Sequence, residues 1–217
     1  KLILSMGAEP IKPDIKGIGS SRVFTLRNIP DTERIKKYID EKAPESAVVV
    51  GGGYIGIEMA ENLKLAGLDV TVVELADHLI APLDMEMAAD VHIYIRNMGV
   101  KLILSNGVKE IEETEDKLVV KLNDGEVETD MVIMAVGVRP ETDLAKAAGI
   151  KINDRGSIIV NEYMETSEKD IYAVGDAVEV THFVTGAKAS IPLAGPANKQ
   201  GRIAADNICG IRSKYKG

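Results

Sequence analysis

The feature that most constrains the fold is a glycine-rich run between a strand-like and a helix-like segment. The run is Gly51-Gly52-Gly53-Tyr54-Ile55-Gly56, which fits the pattern G-x-G-x-x-G. Ala47 to Val50, rich in β-branched residues, comes directly before it, and Tyr54 to Ala66 is helical in pattern. Glycine triplets alone are weak signals, but this context gives the run weight. We therefore predict a strand, turn and helix of an α/β fold.

Each of the three pattern glycines has a separate physical role in such a turn. Gly51 permits the tight turn, Gly53 lets the backbone approach a pyrophosphate, and Gly56 lets the helix lie close to the sheet. The unpaired N–H groups and the positive dipole end of the helix would then face the diphosphate. These residues predict a dinucleotide site. The alternative is a doubly wound fold whose glycine turn binds nothing.

An acidic residue follows the glycines at the distance that a dinucleotide site requires. Glu74 ends the β-branched run Asp69 to Glu74, about 20 residues further on, where a carboxylate can accept hydrogen bonds from the adenosine ribose. The same carboxylate would repel a 2′-phosphate. The next three residues include no arginine, and His78 is the only nearby group that could help to bind NADP(H). The sequence favours NAD(H).

Further periodic segments extend this unit toward the C-terminus. Asp84 to Met98 has apolar residues at helical spacing, and Val100 to Leu104 follows as a third parallel strand. The period then changes to two, with Asp124-Gly125 as a hairpin turn between strands Leu118 to Leu122 and Val127 to Met134. We predict an antiparallel β-meander in this region.

Shorter predicted elements lie on both sides of this region. The strands are Lys1 to Ser5, Val23 to Leu26, Ser157 to Val160 and Ile171 to Ala173, and the helices are Thr32 to Lys42, Asp143 to Ala148 and Pro196 to Ile208. Their order predicts a compact α/β domain inserted between two outer pieces of chain.

Composition limits the partners of the chain. The net charge of -8 and the pI near 5.0 would repel phosphate backbones and anionic lipids, and two Phe without Trp leave few rings for base stacking. No apolar run approaches the roughly 18 residues that span a bilayer, and the first residues lack the layout of a signal peptide. We expect a cytoplasmic protein that binds neither nucleic acid nor membranes.

The chain lacks the residue patterns of a metal or redox centre. Its single cysteine, Cys209, cannot form an internal disulfide or a dithiol, and we expect it to be a small buried apolar residue. His78, His92 and His182 have no paired spacing that suits a metal. We therefore predict no metal site and no catalytic residue within this chain.

Five segments together carry a family resemblance from one end of the chain to the other. They are Leu2 to Ala8, Gly51 to Glu58, Ala135 to Pro140, Tyr172 to Ala177 and Leu193 to Arg202. The chain resembles the pyridine nucleotide-disulfide oxidoreductase family. Within it the sequence is most similar to NADH oxidases, coenzyme A-disulfide reductases and coenzyme A persulfide reductases.

The resemblance implies a Rossmann-like NAD-binding domain, carrying the antiparallel meander, inserted in a partial FAD-binding domain. The implied FAD-binding pieces are residues 1–29 and 142–217, and the implied NAD(H)-binding domain is residues 30–141. The family fold, an FAD domain interrupted by an NAD domain, agrees with the insertion predicted from the order of the elements.

The resemblance also implies roles for residues at the flavin. Gly175 and Asp176 would lie at the flavin, with the Asp176 carboxylate holding a ribityl hydroxyl. Leu193 and Ala194 would bind the cofactor near the start of the last helix, whose positive end would face the pyrimidine edge of the flavin.

Four more residues receive cofactor-binding roles from the resemblance. Tyr54 would cover the flavin face until nicotinamide displaces it, and Glu58 would sit beside the nicotinamide. Ile55 and Gly137 are assigned to cofactor binding within the matching segments. The plainer alternatives are an exposed first-turn tyrosine and an ordinary helical glutamate favoured by the helix dipole.

The resemblance further implies that the chain is part of a larger homodimeric enzyme. Family members begin with an ADP-binding strand and helix and a redox cysteine, and continue into a dimerisation domain, none of which we find between Lys1 and Gly217. The implied enzyme passes hydride from NADH to FAD and on to a coenzyme A disulfide or persulfide. Alternatives are an NADH oxidase or peroxidase acting on oxygen or peroxide, and a noncatalytic nucleotide-binding module.

Overall fold

A computed structural model describes residues 1–217 and confirms the predicted α/β fold with an antiparallel meander. The strands are β1 (Leu2–Leu4), β2 (Ala8–Pro10), β3 (Val23–Phe24), β4 (Ser46–Val50), β5 (Asp69–Val73), β6 (Lys101–Ile103), β7 (Val108–Glu113), β8 (Leu118–Leu122), β9 (Glu126–Thr129), β10 (Met131–Met134), β11 (Val138–Pro140), β12 (Ile158–Ile159), β13 (Ile171–Ala173), β14 (Val178–Thr181) and β15 (Lys188–Ala189). The α-helices are α1 (Ile29–Lys42), α2 (Tyr54–Leu65), α3 (Met85–Asn97), α4 (Asp143–Ala147) and α5 (Ala194–Ile208), with one 3-10 turn at Gly175–Ala177. None of these helices is long and apolar enough to cross a membrane.

The chain divides into two compact units. The inserted unit is Pro10–Gly137, and the outer unit combines Lys1–Glu9 with Val138–Gly217. The sequence prediction placed the first boundary at residues 29/30 and the second at 141/142. The compact units divide at residues 9/10 and 137/138, and β3 is part of the inserted unit because it pairs in parallel with β10.

The inserted unit is built on a five-stranded parallel sheet in the order β3-β10-β4-β5-β6. Alternate residues of β4 point to opposite faces. Ala47 and Val49 pack in a core that also contains residues of α1, α2 and α3, whereas Val48 and Val50 pack in a core with residues of the meander. Because both faces are covered, the central strands are mostly apolar and do not alternate between apolar and polar residues.

The prediction of a single strand from Val127 to Met134 is wrong, because this segment contributes to two strands in two different sheets. The first, β9, completes the antiparallel order β7-β8-β9, and the second, β10, enters the parallel sheet between β3 and β4. Asp130 lies at the break. Its carboxylate accepts hydrogen bonds from the backbone amides of Glu45 and Ser46 and from the Ser46 hydroxyl, at 2.8 to 3.0 Å. These bonds tie the start of β10 to the start of β4.

Two helices begin earlier than predicted. Helix α1 starts at Ile29 because Asn28 caps it: the Asn28 side chain accepts from the Asp31 amide, and the Asp31 carboxylate accepts in return from the Asn28 amide. Helix α5 starts at Ala194, two residues before Pro196. Proline is tolerated in the first turn because the backbone amides there have no acceptor within the helix.

The outer unit contains three small sheets and its own core. Strands β1 and β13 are parallel, β2 pairs with β11, and β14 lies between β12 and β15. The predicted strand at Lys1 to Ser5 is present as β1. The core residues include Leu4, Ile158, Tyr172 and Ala204, so β1, β12, β13 and α5 meet in one apolar cluster.

We predict that Asp130→Ala will destabilise the chain by about 2 to 3 kcal/mol, because two backbone amides and the Lys117 ammonium lose their acceptor. Burial raises the pKa of Asp130, but hydrogen bonds from Lys117, Ser46 and the backbone outweigh it and hold the pKa below its ordinary value. Its contribution is therefore complete above about pH 3.9 and is lost as pH falls through the lowered pKa.

Urea unfolding of Asp130→Ala at pH 7 and at successively lower pH measures this contribution. Asp90→Ala is the matched control, since Asp90 is exposed on α3 in the same unit. Equal stability of the Asp130 and Asp90 variants at pH 7 would contradict the assignment.

Candidate functional site

The glycine-rich run forms the turn between β4 and α2, at the carboxyl edge of the parallel sheet. Gly51 has φ +105°, in the left-handed region, and its amide donates to Val73 O at 2.8 Å. A Cβ at Gly51 would lie 2.3 Å from Ala135 O, on the backbone that follows β10. Only glycine fits this position, because both the φ angle and the neighbouring strand exclude a side chain.

The other two pattern glycines differ in what surrounds them. A Cβ at Gly56 would lie 1.9 Å from Gly51 O, so glycine is what allows α2 to pack onto the turn. A Cβ at Gly53 would meet no atom within 4 Å. Gly53 therefore faces open space, and the chain itself gives no steric reason for glycine there.

The N-terminus of α2 is not capped by any side chain. Gly53 is the N-cap residue, and Ile57 N–H donates to Gly53 O at 3.0 Å. The amides of residues 54–56 precede this bond and have no acceptor within the helix. Open space at Gly53 thus adjoins free donors and the positive end of the helix dipole, which together suit an anion.

Glu74 follows β5 and is half-buried beside the glycine turn. Its Oε2 accepts from the Gly52 amide at 2.5 Å and its Oε1 from the Ala76 amide at 2.7 Å. Two amide donors fix the carboxylate in place. The Glu74 carboxylate, which the sequence predicts to bind the adenosine ribose, therefore lies against the glycine turn.

His78 does not offer a free cation for a 2′-phosphate. Its Nδ1 lies 2.6 Å from Asp77 Oδ1 and its Nε2 lies 3.0 Å from Leu83 O. Both ring nitrogens are therefore occupied by acceptors from the chain itself.

The remaining predicted residues of the inserted unit are open to solvent. Tyr54 is 51% and Ile55 38% exposed, and Glu58 is also exposed on the first turns of α2. Gly137, with φ +116°, is exposed after β10, and its carbonyl accepts from the Ile11 amide at 3.0 Å. The Tyr54, Ile55 and Glu58 side chains are free to meet a ligand, whereas the left-handed φ of Gly137 is itself a reason for glycine there.

The outer unit has its own cavity of about 600 Å³ around Gly175 and Asp176. Ser5, Gly7, Asn198 and Arg202 also line it, which places it between the end of β13 and the first half of α5. Leu193 is the N-cap residue of α5 and Ala194 its first residue, and no side chain caps this helix. The outer unit therefore contains both a cavity lined by polar side chains and the uncapped N-terminus of α5.

Gln200 is a site residue that the sequence analysis missed. Its side chain is only 2% exposed, and its Oε1 accepts from the Gly175 amide at 2.7 Å. Gly175 has φ +82°, so this bond holds a left-handed glycine in place beside Asp176. A glutamine on a helix has no sequence signal that would reveal such a partner 25 residues away.

The structure also describes the surroundings of the histidines, acidic residues and cysteine. No group of three or more His, Cys, Asp or Glu side chains could hold a metal ion. Cys209 is exposed at the C-cap of α5, so its predicted burial is wrong. It lies past the last helical turn, where the chain leaves the core.

Comparison with known proteins identifies the family. The sequence profile described as pyridine nucleotide-disulphide oxidoreductase matches residues 1–201. The chain belongs to this family. The NADH oxidase of Methanocaldococcus jannaschii is 45% identical over 99% of the chain, which spans 48% of that protein.

Solved structures agree with this membership. The reduced Bacillus anthracis CoADR-RHD has a TM-score of 0.95 and 53% identity, with 100% of this chain covering 39% of that one. The NAD-dependent persulfide reductase from A. fulgidus has a TM-score of 0.95 and 42% identity, with 100% of this chain covering 40% of that one. The chain thus spans about half the length, or less, of these relatives.

Alanine substitutions at two glycines of the turn should separate folding from binding. We predict that Gly56→Ala destabilises the chain by about 2 kcal/mol or more, because its methyl group would overlap a backbone carbonyl. Gly53→Ala should change stability by less than about 1 kcal/mol, because its φ of −78° suits alanine and its surroundings are open.

Thermal unfolding of both variants, followed by NADH titration of Gly53→Ala, checks this contrast. We expect the Gly53 methyl group to weaken NADH binding about tenfold or more. Unchanged affinity in a folded Gly53→Ala protein would show that no ligand approaches this part of the backbone.

Proposed function

We propose that the chain is the NADH-binding portion of an FAD-dependent oxidoreductase that passes hydride from NADH to flavin and on to a coenzyme A disulfide or persulfide. The observation that carries the proposal is the open space at Gly53, next to the uncapped N-terminus of α2. The preceding residue, Gly52, donates its amide to the Glu74 carboxylate. Diphosphate and ribose recognition need these two features side by side.

The diphosphate would bind at Gly53 and the first amides of α2. Its negative charge offsets the helix dipole, and its oxygens accept from amides that have no partner within the helix. The Gly53 position must lack a side chain for the diphosphate to approach the backbone. Membership of a family named for pyridine nucleotides supports a dinucleotide as this anion.

Glu74 would recognise the adenosine ribose. The Gly52 and Ala76 amides each use one lone pair of its carboxylate, and the remaining lone pairs can accept from two ribose hydroxyls. A 2′-phosphate would bring a second negative charge to the same place, and His78 is already engaged with Asp77 and Leu83. NADH is therefore the coenzyme that this site fits better.

The outer unit fits part of a flavin site. A half-buried Asp176 carboxylate can accept from a ribityl hydroxyl, and the N-terminus of α5 can stabilise negative charge. Gln200 would act indirectly, by holding the Gly175 amide. When bound, the flavin would supply the chemistry of hydride acceptance. Family membership and an FAD-dependent relative among the solved structures support this cofactor.

The named relatives support two different electron acceptors. The A. fulgidus persulfide reductase favours the coenzyme A disulfide or persulfide reaction. The M. jannaschii NADH oxidase favours the alternative, reduction of oxygen or peroxide. Both share NADH oxidation, and the acceptor half-reaction depends on a redox cysteine environment that these 217 residues do not contain. Kinetics of the longer protein with each acceptor would decide between them.

A noncatalytic nucleotide-binding module remains the alternative of a different class. It predicts a stably folded chain that binds NADH, holds no flavin and has no turnover. A yellow, flavin-loaded protein on purification would argue against it, whereas we expect the 217-residue chain to be colourless. Calorimetric titration with NADH, NADPH and FAD compares these cases directly.

Glu74→Gln tests the ribose assignment without removing every acceptor from the Gly52 amide. We predict that the unaltered chain binds NADH more tightly than NADPH, and that Glu74→Gln weakens NADH binding about tenfold or more by removing hydrogen bonds to a charged acceptor. NADPH binding should change less, because repulsion of its 2′-phosphate is lost at the same time.

Calorimetry with both coenzymes measures this difference. Glu33→Gln is the control, since it removes the same charge from an exposed position on α1 that has no proposed role in binding. Equal affinities of the unaltered chain for NADH and NADPH would refute the ribose assignment.

A further inference from the structure

The segment 76–83 connects the ribose acid to helix α3 and covers part of the glycine turn. Its Ala76 amide donates to Glu74, and its Ile80 amide donates to Gly52 O at 2.8 Å. Leu79 is fully buried, and a side chain at Gly52 would fall 2.4 Å from its Cδ2. The 76–83 segment therefore sets the position of both the carboxylate and the backbone that would bind a dinucleotide.

This segment is held in a strained conformation. Ile80 has φ +53°, a left-handed angle that a β-branched residue adopts only when its surroundings impose it. Two hydrogen bonds from backbone amides hold this conformation. The Ile80 amide donates to Gly52 O, and the Leu79 amide donates to His92. Loss of either bond would release the strain and let the segment move.

His92, on α3, is the acceptor for the Leu79 amide, at 3.0 Å from its Nε2. An imidazole nitrogen accepts a hydrogen bond only when it carries no proton, so His92 must be neutral with its proton on Nδ1. His92 is buried, with only 7% of its surface exposed. Burial, together with the charges of Arg96 and His78, lowers the pKa of His92.

His78 requires the opposite protonation state. Its Nδ1 faces the Asp77 carboxylate and its Nε2 faces the Leu83 carbonyl, and both are acceptors. Both contacts are hydrogen bonds only if both ring nitrogens carry protons, which makes His78 an imidazolium. The hydrogen bond with Asp77 raises the pKa of His78 despite some loss of hydration.

We propose that His78 and His92 are positioning residues for coenzyme binding, which hold the 76–83 segment in its binding conformation only while His78 is charged and His92 is neutral. The inference rests on the proposed dinucleotide site and adds its regulation by pH. The charged groups that act on the two rings are Asp77 of the segment, which acts on His78, and Arg96 of α3 and the His78 ring, which act on His92.

The two histidines set opposite limits on pH. The pKa of His92 is lowered, so its contribution is complete above about pH 6.5, the ordinary histidine value, and is lost as pH falls through the lowered pKa. The pKa of His78 is raised, so its contribution is complete below about pH 6.5 and is lost as pH rises through the raised pKa. Binding should therefore be strongest between the two pKa values.

The test uses ADP-ribose, which contains the diphosphate and the adenosine ribose and is stable at acid pH. We expect its affinity for the 217-residue chain to follow a bell-shaped curve between pH 5 and 9. Below the pKa of His92, affinity should fall by about tenfold per pH unit, because one proton competes with binding.

Substitutions assign each limb of the curve to one ring. His92→Gln can keep an acceptor for the Leu79 amide at the position of Nε2 but cannot titrate, so the acid limb should disappear while affinity at neutral pH is retained within about threefold. His78→Gln should remove the alkaline limb. His182→Asn is the control, because His182 lies in the outer unit and should leave the curve unchanged.

Titration of the three histidine rings by NMR, with and without ADP-ribose, gives a second test that needs no variant. Because binding and protonation are linked reciprocally, ADP-ribose should lower the pKa of His92 and raise that of His78. A flat affinity curve with unmoved ring pKa values would overturn the inference while leaving the dinucleotide site intact. Absence of ADP-ribose binding at every pH would instead overturn the proposed function.

Discussion

The bond between the Glu74 carboxylate and the Gly52 amide is the interaction on which the candidate site depends. It joins the ends of β4 and β5, which are adjacent in the sheet, and fixes a charge beside a turn that carries no side chains. A carboxylate held by backbone amides needs no other side chain to orient it. The position of Glu74 thus follows directly from the parallel pairing of the two strands.

The glycine turn has structural and functional requirements that different residues satisfy. Gly51 and Gly56 are required for the chain to fold, since any side chain there would overlap backbone atoms. Gly53 has no such requirement, and in the proposed function its identity is explained by a ligand. Two of the three pattern glycines are thus explained by the fold, and the third is the one to which we assign a role in binding.

The sequence predicted the elements whose signals are local and missed those that depend on distant partners. The turn, α2 and β5 follow from residues within a few positions of each other. The division of 126–134 into β9 and β10 does not, because Met131–Met134 continues an apolar pattern and only Asp130, bonded to β4, marks the break. The hydrogen bonds of His92 with Leu79 and of Gln200 with Gly175 likewise cannot be predicted from the spacing of apolar residues.

The strand order β3-β10-β4-β5-β6 has a consequence for how the chain is made. Strands β4, β5 and β6 can assemble as the ribosome releases them, but β10 is the neighbour of both β3 and β4 and emerges last. Until residue 134 leaves the ribosome, β4 has an unpaired apolar edge and β3 has no partner. The nascent chain is therefore most exposed to wrong strand pairing while the meander is being synthesised.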